Sequence, residues 1–108
     1  LVIDIDRLTV PTKEFVAAIN AEGVPAYGVQ WPEMYKEDAY VLRKGFGAAN
    51  YPFEDPRARR LDYAGVKCPT AHWLTDRTVS FFTHPVYTEE HVGWMIDAFR
   101  KVADHYQK

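Results

Sequence analysis

A strand, a proline corner and a long helix follow one another between Thr78 and Tyr106, and together they leave few folds open. Thr78-Val79-Ser80-Phe81-Phe82 is β-branched or aromatic with one small break, which suits a pleated, half-buried surface. His84-Pro85 stops the strand, because Pro85 has no amide proton for a ladder and pushes His84 towards an extended conformation. Thr88 is placed to cap a helix with its hydroxyl, and Glu89 and Glu90 set negative charge at the helix's positive end. Val92, Met95, Ile96, Phe99 and Val102 then recur at three- and four-residue steps, the period of one buried helix face. The pattern predicts a closing helix whose apolar stripe is the spine of the core.

Upstream, Leu1 to Val10 carries Val2, Ile3, Ile5, Leu8 and Val10, with Asp4 and Asp6 on the alternate face, and predicts a strand over about residues 1–6. The run opens directly on Leu1 with no leading Met, which predicts a piece of something longer. Pro11-Thr12 starts a first helix with Thr12 as cap and Glu14 in the first turn; Phe15, Val16, Ala18 and Ile19 face the core. Gly23 is suited to end that helix in a left-handed conformation. Val24 to Val29 reads as a short strand, placed at an edge by Pro25. From Gln30 the pattern changes. Trp31-Pro32-Glu33-Met34-Tyr35 is an aromatic corner with Pro32 at the first position of a helical turn, and residues 37–43 read as a short helix. Residues 44–67 hold no sustained period and are rich in turn formers, so this segment is expected to be functional or packed against another body. Pro69 reopens a short helix with Ala71, Trp73 and Leu74 available for burial. The order β-α-β, irregular segment, short α, β, long α is an α+β arrangement: a small, mainly antiparallel sheet with helices on one face.

The 108 residues form one ordinary domain, and 47% hydrophobic content with 15% aromatic residues rules against disorder. A net charge of −2 with scattered Lys and Arg gives no footprint for nucleic acid, and the basic run Arg57, Arg59, Arg60 is short and reads as solvated surface. No apolar run reaches membrane-spanning length, so no membrane partner is expected. The single cysteine, Cys68, excludes an internal disulfide and fits a reducing, cytoplasmic compartment.

Candidate chemistry is sparse. A Schiff-base lysine needs surroundings that lower its pKa, and Lys13, Lys36, Lys44, Lys67, Lys101 and Lys108 all fall on polar or loop stretches. His72, His84, His91 and His105 have no metal-ligand spacing. Cys68 lacks an identifiable base and reads as buried or capping. No residue is assigned a catalytic role. His84 sits at a strand end where a scaffold can aim a side chain into a cleft, the plainer reading being a ring that bonds the corner's backbone. Tyr27, Gln30, Trp31 and Tyr35 offer aromatic faces and one amide, a set suited to stacking on a ring and bonding its hydroxyls, or to packing against a neighbouring domain.

Several stretches resemble, in order, the C-terminal small domain of the DegT/DnrJ/StrS family of pyridoxal-phosphate-dependent sugar aminotransferases. They are Glu14 to Pro25, Trp31 to Tyr35, Cys68-Pro69-Thr70-Ala71, Thr83 to Glu90 and Met95 to Val102. The resemblance implies a small domain that completes the active-site cleft of a fold-type I aminotransferase acting on a keto sugar or related cyclitol. Tyr27, Gln30, Trp31, Tyr35 and His84 would then be substrate-binding residues. It also implies that the catalytic lysine and pyridoxal 5'-phosphate belong to an N-terminal large domain outside this chain, which alone would be inactive, and that the intact enzyme is a homodimer. His72 departs from the family, many of whose members carry Glu after Cys-Pro-x-Ala; so does Gln30-Trp31, where many carry His or Arg. The alternatives from the residues alone are a free-standing α+β ligand-binding module without catalysis and an oligomerisation domain.

Overall fold

A computed structural model describes residues 1–31 and 33–108; the expectation for Pro32 lies outside the described residues. Two compact units divide the chain, one formed by residues 1–30 with 73–108 and the other by 31–72.

The first unit is α+β. Helix α1 (Thr12–Ala21) leads through a turn to strand β1 (Ala26–Tyr27), and strand β2 (Ser80–Phe81) leads through the His84-Pro85 corner to helix α4 (Glu89–Tyr106). The strands pair antiparallel, Ala26 opposite Phe81 and Tyr27 opposite Ser80. Just before β2, the Val79 amide donates to the Leu1 carbonyl at 2.9 Å, the Leu1 nitrogen donates to the Val79 carbonyl at 2.8 Å, and Ile3 donates to the Arg77 carbonyl. Successive strand residues point their backbone groups to opposite edges. Val79 therefore takes Leu1 on one edge while Ser80 takes Tyr27 on the other. The strand expected over 1–6 does not form: Val2 makes a single isolated bridge to Thr78, pairing stops after Ile3, and Ile5–Arg7 makes a single 3-10 turn. Asp4 and Asp6 are poor strand formers, and their alternation with apolar residues looked like a pleat.

Phe15, Ile19, Val24, Ala26, Val79, Ala98 and Val102 form the buried cluster, with Ile19 and Val79 at 0% exposure. Ala26, Val79 and Phe81 point to the helix side of the ladder, where the Phe81 ring meets Phe99 at 5.4 Å. Asn20 fastens β1 to α1: its amide nitrogen donates to the Ala26 carbonyl at 2.8 Å and its carbonyl accepts the Ala26 amide at 3.1 Å. Gly23, at φ +87°, makes the left-handed exit expected of it. Thr12 is not the cap of α1; that place falls to Pro11 in an extended conformation, and the Thr12 hydroxyl donates instead to the Asp76 carbonyl. The far end of α4 is tied to the chain's first turn by Thr9 donating to the Tyr106 carbonyl at 2.8 Å.

Thr88 caps α4 as expected, and His91 closes the box by accepting the Thr88 amide on Nδ1 at 3.0 Å. The buried stripe of α4 is displaced from the predicted one. Met95, Ala98, Phe99, Val102 and Tyr106 face the core, whereas Val92 and Ile96 stand 46% and 45% exposed. The first turns of the helix overhang the end of the sheet, so these two side chains wall an open cleft.

The second unit contains a 3-10 turn at Met34–Lys36, the short helix α2 (Asp38–Val41), and the irregular segment that follows. Helix α3 (Pro69–Thr75) runs across the sequence boundary; its Ala71 and Trp73 are exposed rather than buried, and Arg77 stacks its guanidinium on the Trp73 ring at 4.7 Å. Residues 44–67 pack against Tyr40 and Arg43 through Phe53 and Tyr63. The rings of Tyr40, Phe53 and Tyr63 meet at 5.2 to 6.4 Å, Arg43 lies over Phe53, and Arg43 donates to the Phe53 carbonyl. The Asn50 amide bridges Gly45 and Arg43 across the bend. Gly45 is required there, since a Cβ would overlap the Tyr51 carbonyl.

Ile19→Ala opens a sealed cavity in this core and is expected to cost about 2–5 kcal/mol in urea unfolding. Phe99→Ala, which enlarges a cleft that water can enter, falls at or below the lower end of the roughly 3–5 kcal/mol usual for a buried Phe. A Phe99→Ala loss at the upper end of that range, about 5 kcal/mol, would contradict this placement of the core.

Candidate functional site

The sequence-predicted residues divide between the two units. Tyr27, Gln30 and His84 belong to the first, Trp31 and Tyr35 to the second. Within the first unit the three stand apart. Tyr27 pairs with Ser80, so the pleat turns it away from the helices, and its ring meets Phe82 edge-on at 5.5 Å on the opposite face of the sheet. Gln30 lines a shallow hollow with Thr12, Lys13 and Asp76. His84 lines a cleft between the end of β2 and the first half of α4. In the second unit Trp31 is 71% exposed, while Tyr35 is half-buried with the Lys36 ammonium 5.7 Å from its ring centre.

The cleft at His84 encloses about 440 Å³, within the usual range for a small-molecule pocket. Leu1, Phe81, Val92, Met95, Ile96 and Phe99 make its apolar walls, and Thr83, His84, Tyr87 and Arg100 complete the lining. Two local rules build it. The ladder ends at Phe81 and Pro85 turns the chain, which places Thr83 and His84 at the mouth. The Thr88–His91 cap then fixes where α4 begins and sets Val92 and Ile96, one turn apart, along the side. His84 Nδ1 accepts the Val86 amide at 3.4 Å. The ring contacts the corner's backbone and lines the cleft.

A second cluster, in the other unit, escaped sequence reasoning. Glu33, with only 9% of its side chain exposed, bonds Lys36 Nζ at 2.8 and 2.9 Å and His72 Nδ1 at 3.0 Å. The Glu33–Lys36 spacing is legible as a helical-turn pair. The Glu33–His72 pair, 39 residues apart, has no local signal. The Lys36 ammonium beside it holds the Glu33 carboxyl well below its ordinary value of 4.5, down to about 2, with the His72 bond acting in the same direction. The carboxylate in turn raises the Lys36 pKa. A carboxylate oriented on an imidazole can set the ring's tautomer.

The six lysines do not fit an anchor for pyridoxal phosphate in this chain. All are exposed, and Lys36, Lys101 and Lys108 are held in surface bonds to Glu33, Glu22 and the Asp6 carbonyl. Among the described residues no group of three or more His, Cys, Asp or Glu is arranged to hold a metal ion. No helix of the described residues is long and apolar enough to cross a membrane. Arg57 and Arg60 sit against Asp55 and Glu54, so the basic run is locally offset by acids.

Comparison with known protein families, with curated proteins and with solved structures gives no match.

Because Glu33 titrates lower when folded, its pairing favours the folded state above the ordinary carboxylate value and ceases to do so as pH falls through about 2. An NMR titration of the Glu33 carboxyl is expected to show that low midpoint, moving up towards 4.5 in Lys36→Met; a midpoint unchanged by the substitution would contradict the assigned cause.

Proposed function

We propose that this chain is the C-terminal small domain of a pyridoxal-phosphate-dependent aminotransferase of the DegT/DnrJ/StrS kind, acting on a keto sugar or related cyclitol. The order of resembling motifs is one support. The observation that carries the reading is the one-sided layering of the first unit. Helices cover the Ala26, Val79 and Phe81 face of the ladder, while Tyr27 and Phe82, 36% and 64% exposed, form an aromatic pair on the other. An uncovered aromatic sheet face suits a neighbouring large domain, and a homodimer is the expected assembly. Among the residues the resemblance implies for substrate, His84 lines the apolar cleft. The exposed lysines leave the anchoring of the cofactor, and the amino-transfer chemistry it supplies when bound, to residues outside this chain.

The apolar cleft at His84 favours a second reading, a small α+β ligand-binding module without catalysis. Expression of the complete gene separates the two. The first reading expects a product much larger than this chain, with the cofactor's visible absorption band bleached on adding an amino donor. A colourless product of this chain's own mass would overturn it and leave the module.

A further inference from the structure

We propose that the cleft at His84 binds an organic acid with an apolar, aryl-sized body and one carboxylate. This goes beyond the preceding reading, because such a lining suits a compact apolar body better than a hydroxylated sugar ring. It stands whether or not the chain belongs to an aminotransferase, since every lining residue lies within the first unit.

The walls decide the body. Phe81, Val92, Met95, Ile96 and Phe99 enclose the space, and burying an apolar ligand against them removes both surfaces from water. Val92 and Ile96 remain 46% and 45% exposed, so the helix leaves this part of its stripe without an intramolecular cover. The polar groups decide the head. Arg100 carries the one side-chain charge that is permanent at this lining, and no carboxylate lines it. Its guanidinium is held by an exposed pair with Asp97 at 3.8 Å, both side chains more than 70% exposed, a pair that screens weakly and leaves the fork of donors available. Thr83, His84 and Tyr87 also line the cleft, whose surface is overwhelmingly apolar. Apolar walls with one cationic side chain and no carboxylate at the lining are complementary to an apolar carboxylate and unfavourable to a cation.

The test uses hydrocinnamate and its uncharged amide, titrated into the full chain and followed by amide-resolved NMR. Hydrocinnamate is expected to shift the amides of residues 81–87 and 92–100 with saturation in the millimolar range or tighter, and the amide to bind about tenfold more weakly. Arg100 is 75% exposed along its side chain, so Arg100→Gln leaves folding intact. It should weaken the acid about tenfold while leaving the amide unchanged. Ile96→Trp, which fills the space, should abolish both. Equal binding of acid and amide, shifts confined to other parts of the chain, or no saturation would each overturn the proposal. So would cleft resonances that move with protein concentration alone, which would show a second copy seated there.

Discussion

Three distant parts of the sequence meet at Val79. Its amide and carbonyl both bond Leu1, its neighbour Ser80 pairs with Tyr27, and its side chain is fully buried in the cluster that holds Ile19 of α1 and Val102 of α4. A ladder this short is marginal in water without a covering layer. The helices supply that layer, and the ladder in return fixes where they sit. Fully burying a side chain the size of Ile19 contributes about 1.5–3 kcal/mol, and Asn20 adds a two-bond clamp between α1 and β1 that leaves the Ala26 backbone satisfied.

The functional geometry inherits this arrangement. Because Val79 and Phe81 point inward, Ser80 and Phe82 point outward, and one pleat separates the cleft side from the aromatic pair side. The strand ends at Phe81, the chain turns at His84-Pro85, and the reciprocal bonds of Thr88 and His91 decide the residue at which α4 starts. A start one residue later would rotate Val92 and Ile96 away from the wall by about 100°, the angle per residue of a helix.

Much of this was legible where a local rule governs. The three- and four-step period located α4, Thr88 announced its cap, Gly23 announced the end of α1, and Pro69 opened α3. The parts that were not legible depend on partners far away in sequence. Asp4 and Asp6 alternate like a strand, yet they turn the chain once Ile3 has finished pairing. Thr12 looks like a cap, yet its hydroxyl serves Asp76. Tyr40, Phe53 and Tyr63 have no common spacing, so their ring cluster looked like a loop. For the candidate site, a strand end beside a proline was enough to single out His84. Tyr27 and Gln30, though close in sequence, were separated by the pleat and by the exit from β1, which composition does not encode.

The central claim is that the ladder at Val79 organises the first unit, and native-state hydrogen exchange reads it directly. The Val79 amide is expected among the slowest of the chain, exchanging with the free energy of global unfolding, and to speed up together with the core amides of α1 and α4 in Asn20→Ala. A Val79 amide that exchanges as fast as those of the exposed bend around Gly47 would contradict the account, because the helices would then be held by something other than the strands they cover.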